Sequence, residues 1–176
     1  MGKASQAEHK LLDEHSMQAS KLTLGQKICY LVNGALIAAL PAYAFHSIQH
    51  IKLSDNLISH GIAVILTIAT LFFAYHNVAS VQKRKIYKVR LSAVEESMRS
   101  GSKTRSPDFD KQAVKKANEI AAFESVALSL FYNNALFVAI QIVFAFYLFK
   151  NWEPQNAYVG STVVASGIVA LLATGK

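Results

Sequence analysis

"SVALSLFYNNALFVAIQIVFAFYLF", residues 125–149, carries no charged side chain over 25 positions, yet holds two adjacent carboxamides, Asn133 and Asn134. At ~1.5 Å of rise per residue, a helix of that length outspans the ~30 Å hydrocarbon core of a bilayer. Three further windows share the property: 28–51, 56–82 and 154–175, of 24, 27 and 22 residues. All 18 basic and 11 acidic residues of the 176-residue chain fall outside these windows. Buried helices of a soluble bundle would keep a charged outer face, and these windows have none. The expected fold class is an all-α membrane protein with four transmembrane helices.

The expected organisation is a polar amino-terminal segment over 1–27, transmembrane helices over 28–48, 57–78, 127–149 and 158–174, and a basic excursion over 79–126. The four spans then form two short-turn hairpins joined by one helical hairpin outside the membrane. Pro41 lies within the first span, where neighbouring groups can satisfy the carbonyl it frees. The excursion holds eleven Lys and Arg against six Asp and Glu, whereas each short turn holds one of each sign, Lys52 with Asp55 and Lys150 with Glu153. The positive-inside rule puts the excursion, and with it both termini, in the cytosol. Tyr43, Tyr147, Trp152 and Tyr158 sit near span ends, where an aromatic belt belongs. Within the excursion, Val78, Val81, Ile86, Val89 and Val94 recur at helical spacing, so the second span is expected to continue outward. "SGSKTRSP" reads as a turn, and Ser106 followed by Pro107 as the start of a returning helix.

Lys83, Arg84, Lys85, Lys88 and Arg90 put five basic residues into eight positions before the first acid, Glu95. Arg99, Lys103 and Arg105 extend the run toward the hairpin tip, and Lys115 and Lys116 lie on the return. Charges of this kind can simply set topology beside anionic headgroups. They can also form a footprint for a polyanion, whose binding then weakens steeply with salt. The run reaches beyond one turn from the membrane, farther than topology requires, which favours the footprint. Base-reading motifs are absent, so the RNA features expected to be read are backbone and shape.

Other chemistries find less support. His46 and His50 have the spacing of two metal ligands on one helix face, but no acid or thiol stands near to complete a site, and no metal is expected. His60 and His76 lie toward opposite ends of the second span. Cys29 is the single cysteine, so no intrachain disulfide forms. "MGKASQ" has Gln6 where an N-myristoylation signal needs Ser or Thr. No nucleophile elbow, phosphate loop, paired carboxylates or zinc-protease helix occurs, so no catalytic residue and no cofactor are expected. The spans also lack the acids and bases of proton relays. A small transporter or channel would have to work through Asn33, Asn77, Asn133 and Gln141 alone.

Asn133 and Asn134 fall roughly 14 Å along a helix beyond Glu124, inside the cytosolic leaflet. Amides at that depth act as glue between helices. Their expected partners are Asn33 or Asn77 on neighbouring spans, or a group on another subunit. Gly160 and Gly167, with Ser161, Ala165, Ser166 and Ala170, give the last span small residues that permit close helix approach.

"LSLFYNNALF" (128–137), "LFKNWEP" (148–154) and "VVASGIVALLATGK" (163–176), with "KKANEIAAFES" (115–125) and "FFAYHNV" (72–78), resemble the gamma-subunit family of the translocon-associated protein complex, also called the signal sequence receptor. The resemblance implies a non-catalytic, four-span protein of the endoplasmic-reticulum membrane with cytosolic termini. It implies a place beside the protein-conducting channel, where the membrane part holds other subunits of the complex. It further implies that the cytosolic helices meet ribosomal RNA and protein of the translating ribosome. A competing expectation keeps the scaffold and lets the basic excursion bind anionic membrane lipid alone.

Overall fold

A computed structural model of the chain describes residues 23–51, 56–101 and 107–174, with side chains described except at 98–101 and 107–111. Residues 1–22, 52–55, Lys103, Arg105, Gly175, Lys176 and the Arg99 side chain lie outside the described set. The described residues form four α-helices: α1 Leu24–Gln49, α2 Leu57–Gly101, α3 Pro107–Val143 and α4 Pro154–Thr174. A π-helical turn, Phe144–Leu148, comes directly after α3. All four α-helices are long and apolar enough to cross a membrane.

Local chemistry explains where the helices begin, bend and stop. α3 and α4 open on Pro107 and Pro154, at the position where a backbone N–H would find no intrahelical partner anyway. Pro41 interrupts the ladder inside α1 but lies on its buried face with Tyr30, Gly34, Ala38 and Phe45, so packing supports the helix across the lost bond. α1 ends because His50 adopts a left-handed backbone, φ 55°, a region where His is among the more tolerated non-glycine residues. The His46 ring then caps the turn, its Nδ1 donating to the Ile51 carbonyl oxygen at 2.9 Å.

The described residues divide into two compact units, one with 78–101 and 107–128 and the other with 25–51, 56–77 and 129–174. α2 and α3 contribute residues to both. One regularity runs along α3 and into the π turn. Ala113, Ala117, Ala121 and Ser125 are buried in the first unit, and Ser129, Asn133, Phe137, Gln141 and Ala145 in the second, each four residues after the last. A four-residue step overshoots one helical turn by ~40°, so this stripe winds slowly around the helix. In the second unit the winding changes the neighbour. Ser129 Oγ donates to the Tyr75 carbonyl of α2 at 2.7 Å, and Gln141 Nε2 reaches Ser161 Oγ of α4 at 2.9 Å.

The second unit has an apolar core of Phe45, Ile51, Ala63, Ala145, Ala157 and Tyr158. The Phe45 ring stands edge-on to Tyr158 with centroids 5.5 Å apart and lies nearly parallel to Phe146 at 6.2 Å. The π turn bonds Phe149 N–H to the Phe144 carbonyl at 2.8 Å, and its extra residue swings Phe149 onto Trp152, stacked at 4.2 Å. Gly160 lies beneath that pair: a Cβ there would stand 3.3 Å from Phe149 Cε2 and 3.4 Å from Trp152 Cζ3. Gly34 makes the other close approach, to α2, where a Cβ would stand in van der Waals contact with Ile68, 3.7 Å from its Cγ2.

Candidate functional site

In the first unit, the buried side chains of α2 and α3 are small. Ala79 on α2 and Ala113, Ala117, Ala121 and Ser125 on α3 are all buried, and residues of this size let helix backbones approach closely. The basic residues line the outside. Arg84, Lys85, Lys88 and Arg90 of α2 are exposed, as are Lys115 and Lys116 of α3, whereas Lys83 is half-covered. Burial lowers the Lys83 ammonium below its usual value. Arg90 differs from the rest of the run. Its Nε donates to Glu124 Oε2 at 3.0 Å and its Nη2 to Oε1 at 2.6 Å, the two-pronged geometry that guanidinium and carboxylate share. Those hydrogen bonds and the carboxylate charge raise Arg90 above its usual value. Among the described residues this is the ion pair the structure contains.

The second unit holds a polar cluster inside apolar surroundings. Asn33 of α1 and Asn134 of α3 exchange amides, with Nδ2 of Asn33 donating to Asn134 Oδ1 at 3.1 Å and the reciprocal bond at 3.3 Å. The Tyr75 hydroxyl of α2 donates to the same Asn134 oxygen at 2.5 Å and accepts from Asn33 Nδ2 at 3.0 Å. Three helices are therefore tied at one level. Asn133, fully buried, turns instead to its own helix: its Nδ2 donates to the Ser129 carbonyl at 2.8 Å and lies 3.3 Å from Ser129 Oγ. Asn77 donates to the Ala173 carbonyl of α4 at 3.1 Å. Asn33 is thus the partner of Asn134, while Asn77 serves α4.

The two glycines singled out by sequence differ in setting. Gly160 carries the Phe149–Trp152 stack, whereas a Cβ at Gly167 would meet nothing within 4 Å. Glu124, Ser129 and Tyr75 carry the tightest contacts of the two clusters, and none stands out in the sequence. The signal for Ser129 is the four-residue stripe; the spacing marks neither of the other two. Among the described residues no three His, Cys, Asp or Glu side chains come together to hold a metal.

The chain matches the family model described as "Translocon-associated protein, gamma subunit (TRAP-gamma)" over residues 7–175. It is also similar to a protein from Dictyostelium discoideum named "Translocon-associated protein subunit gamma", with 29% identity over 158 residues, covering 88% of this chain and 90% of that protein.

Proposed function

The chain belongs to the translocon-associated protein gamma-subunit family, a non-catalytic family, and from that premise we propose that it docks the translating ribosome at the endoplasmic-reticulum membrane. In this reading the spans 28–48, 57–78, 127–149 and 158–174 form two short-turn hairpins, and 79–126 is a cytosolic helical hairpin between them. The segment 1–27 and both termini are cytosolic. The membrane part holds the other subunits of the complex beside the protein-conducting channel, with Asn133, Asn134, Gly160 and Gly167 in its packing. The basic residues of the hairpin, Lys83 to Arg90 with Arg99, Lys103, Arg105, Lys115 and Lys116, face ribosomal RNA and protein.

The observation that carries this reading is the exposure of Arg84, Lys85, Lys88, Lys115 and Lys116 on two helices tied together by Arg90 and Glu124. A cationic helical pair without base-reading groups suits the phosphate backbone of structured RNA. Co-sedimentation of the purified protein with ribosomes across a salt series tests it. Wild type is expected to bind in a salt-sensitive manner, and a protein with Lys83, Arg84, Lys85 and Lys88 changed to Glu is expected to lose binding. Binding that survives the four changes would place the contact elsewhere.

A second reading, contact with anionic lipid alone, draws on Val89 and Phe123, which are 68% and 78% exposed in the same unit as the lysines. Apolar side chains among lysines suit a membrane surface. That reading expects wild type to bind vesicles containing phosphatidylserine and to leave ribosomes in the supernatant.

A further inference from the structure

The basic run on α2 does not form one surface. At ~100° per residue, Arg84, Lys85 and Lys88 fall within a sector of about 100°, and all three are exposed. Lys83 and Arg90 are seven residues apart, which puts them within about 20° of each other on the opposite side of the helix. Lys83 is half-covered there. Arg90 is held by both oxygens of Glu124. A guanidinium engaged by a carboxylate in this way has its most directional donors occupied and its charge locally balanced.

We propose that the polyanion-contacting face of this protein is the Arg84–Lys85–Lys88 sector of α2, and that Arg90 is an internal clamp on Glu124 of α3 that orients this face and contacts no phosphate. The proposal rests on the docking function above and divides its basic residues into two roles. Half-exposed ion pairs add little to stability. The clamp acts by fixing the rotation of α2 about its axis against α3, which decides where the three free cations point.

The test uses the full-length protein in lipid nanodiscs, with ribosome affinity measured across a potassium chloride series. Each phosphate contact adds roughly 0.7–0.9 to the slope of log K against log salt. Arg84→Gln, Lys85→Gln and Lys88→Gln are each expected to flatten the slope by about that amount. Arg90→Gln is expected to leave the slope unchanged and to lower affinity about two- to five-fold, the range of a half-exposed pair. Arg90→Lys keeps the charge but not the fork, so it is expected to weaken binding in the same way. Glu124→Gln is the sharpest variant. It makes the protein more positive, which by charge alone would tighten binding, yet loss of the clamp is expected to weaken it. Circular dichroism and gel filtration establish that each variant is folded and monodisperse. Arg90→Gln flattening the slope as Lys85→Gln does, or Glu124→Gln tightening binding, would overturn the clamp while leaving the docking function standing. A slope unmoved by all three sector variants would overturn this proposal and place the phosphate contacts elsewhere, whereas no salt-sensitive ribosome binding by wild type would overturn the docking function.

Discussion

Tyr75 places one hydroxyl between two amides, accepting from Asn33 and donating to Asn134. Tyr75→Phe leaves those amides paired with each other, so it is expected to cost about 0.5–1.5 kcal/mol, the net worth of hydrogen bonding at one group. Asn134→Ala removes the acceptor that both partners share and is expected to cost more than Tyr75→Phe. Denaturation by SDS in mixed micelles measures both, and equal costs would show that the amide pair contributes nothing beyond the phenol. Thr67 presents the opposite case. It is fully buried and its Oγ1 makes no hydrogen bond among the described residues. Replacing an unsatisfied hydroxyl by a methyl of the same shape is neutral or favourable, so Thr67→Val is expected to keep or raise the thermal midpoint in detergent. A clear loss would mean that the hydroxyl has a partner in the membrane.

The π turn makes its own prediction at the level of the element. Removing Phe146 would return Phe144–Leu148 to α-helical spacing and rotate the adjoining Phe149 by about 100°, taking it off Trp152. Trp152 is the only tryptophan in the chain, so near-ultraviolet dichroism and tryptophan emission read the change directly. Gly160→Ala is expected to disturb the same signals less, because ring edges at 3.3 and 3.4 Å need yield only slightly. Gly167→Ala, with open space around it, is expected to leave them unchanged. The four apolar helices were legible because charge is excluded from 28–51, 56–82, 125–149 and 154–175, and a bilayer imposes that exclusion on every face of a span. The same uniformity hid the seams. With both sides of α3 apolar, the periodic contrast that marks a buried face in a soluble helix is missing, and the four-residue stripe of small and polar residues is easily passed over. The amide pair was partly legible, since Asn33 stood among the expected partners of Asn134. The π turn left no compositional mark. The Arg90–Glu124 pair depends on the register of two helices whose joining residues are 34 apart, which neither residue announces.

Across the whole molecule, the proposed orientation puts both helices of the basic pair on one side of the membrane and the Lys150–Glu153 turn on the other. Cys29 is the only cysteine, so Cys29→Ser clears the background for single-cysteine mapping. In intact microsomes, Lys116→Cys is expected to react with an impermeant maleimide, and Asn151→Cys only after the membrane is opened. The reverse pattern would invert the protein. The stripe on α3 has a mechanical consequence in the second unit. Ser129, Asn133, Phe137, Gln141 and Ala145 recur every four residues, so sliding α3 by one residue would set Gln141 and Asn133 against the wrong neighbours. The one displacement that returns the stripe to its seam is an advance of roughly 6 Å coupled to a turn of roughly 40°. The helix is seated like a screw in its thread: it resists a straight pull and yields only to torque.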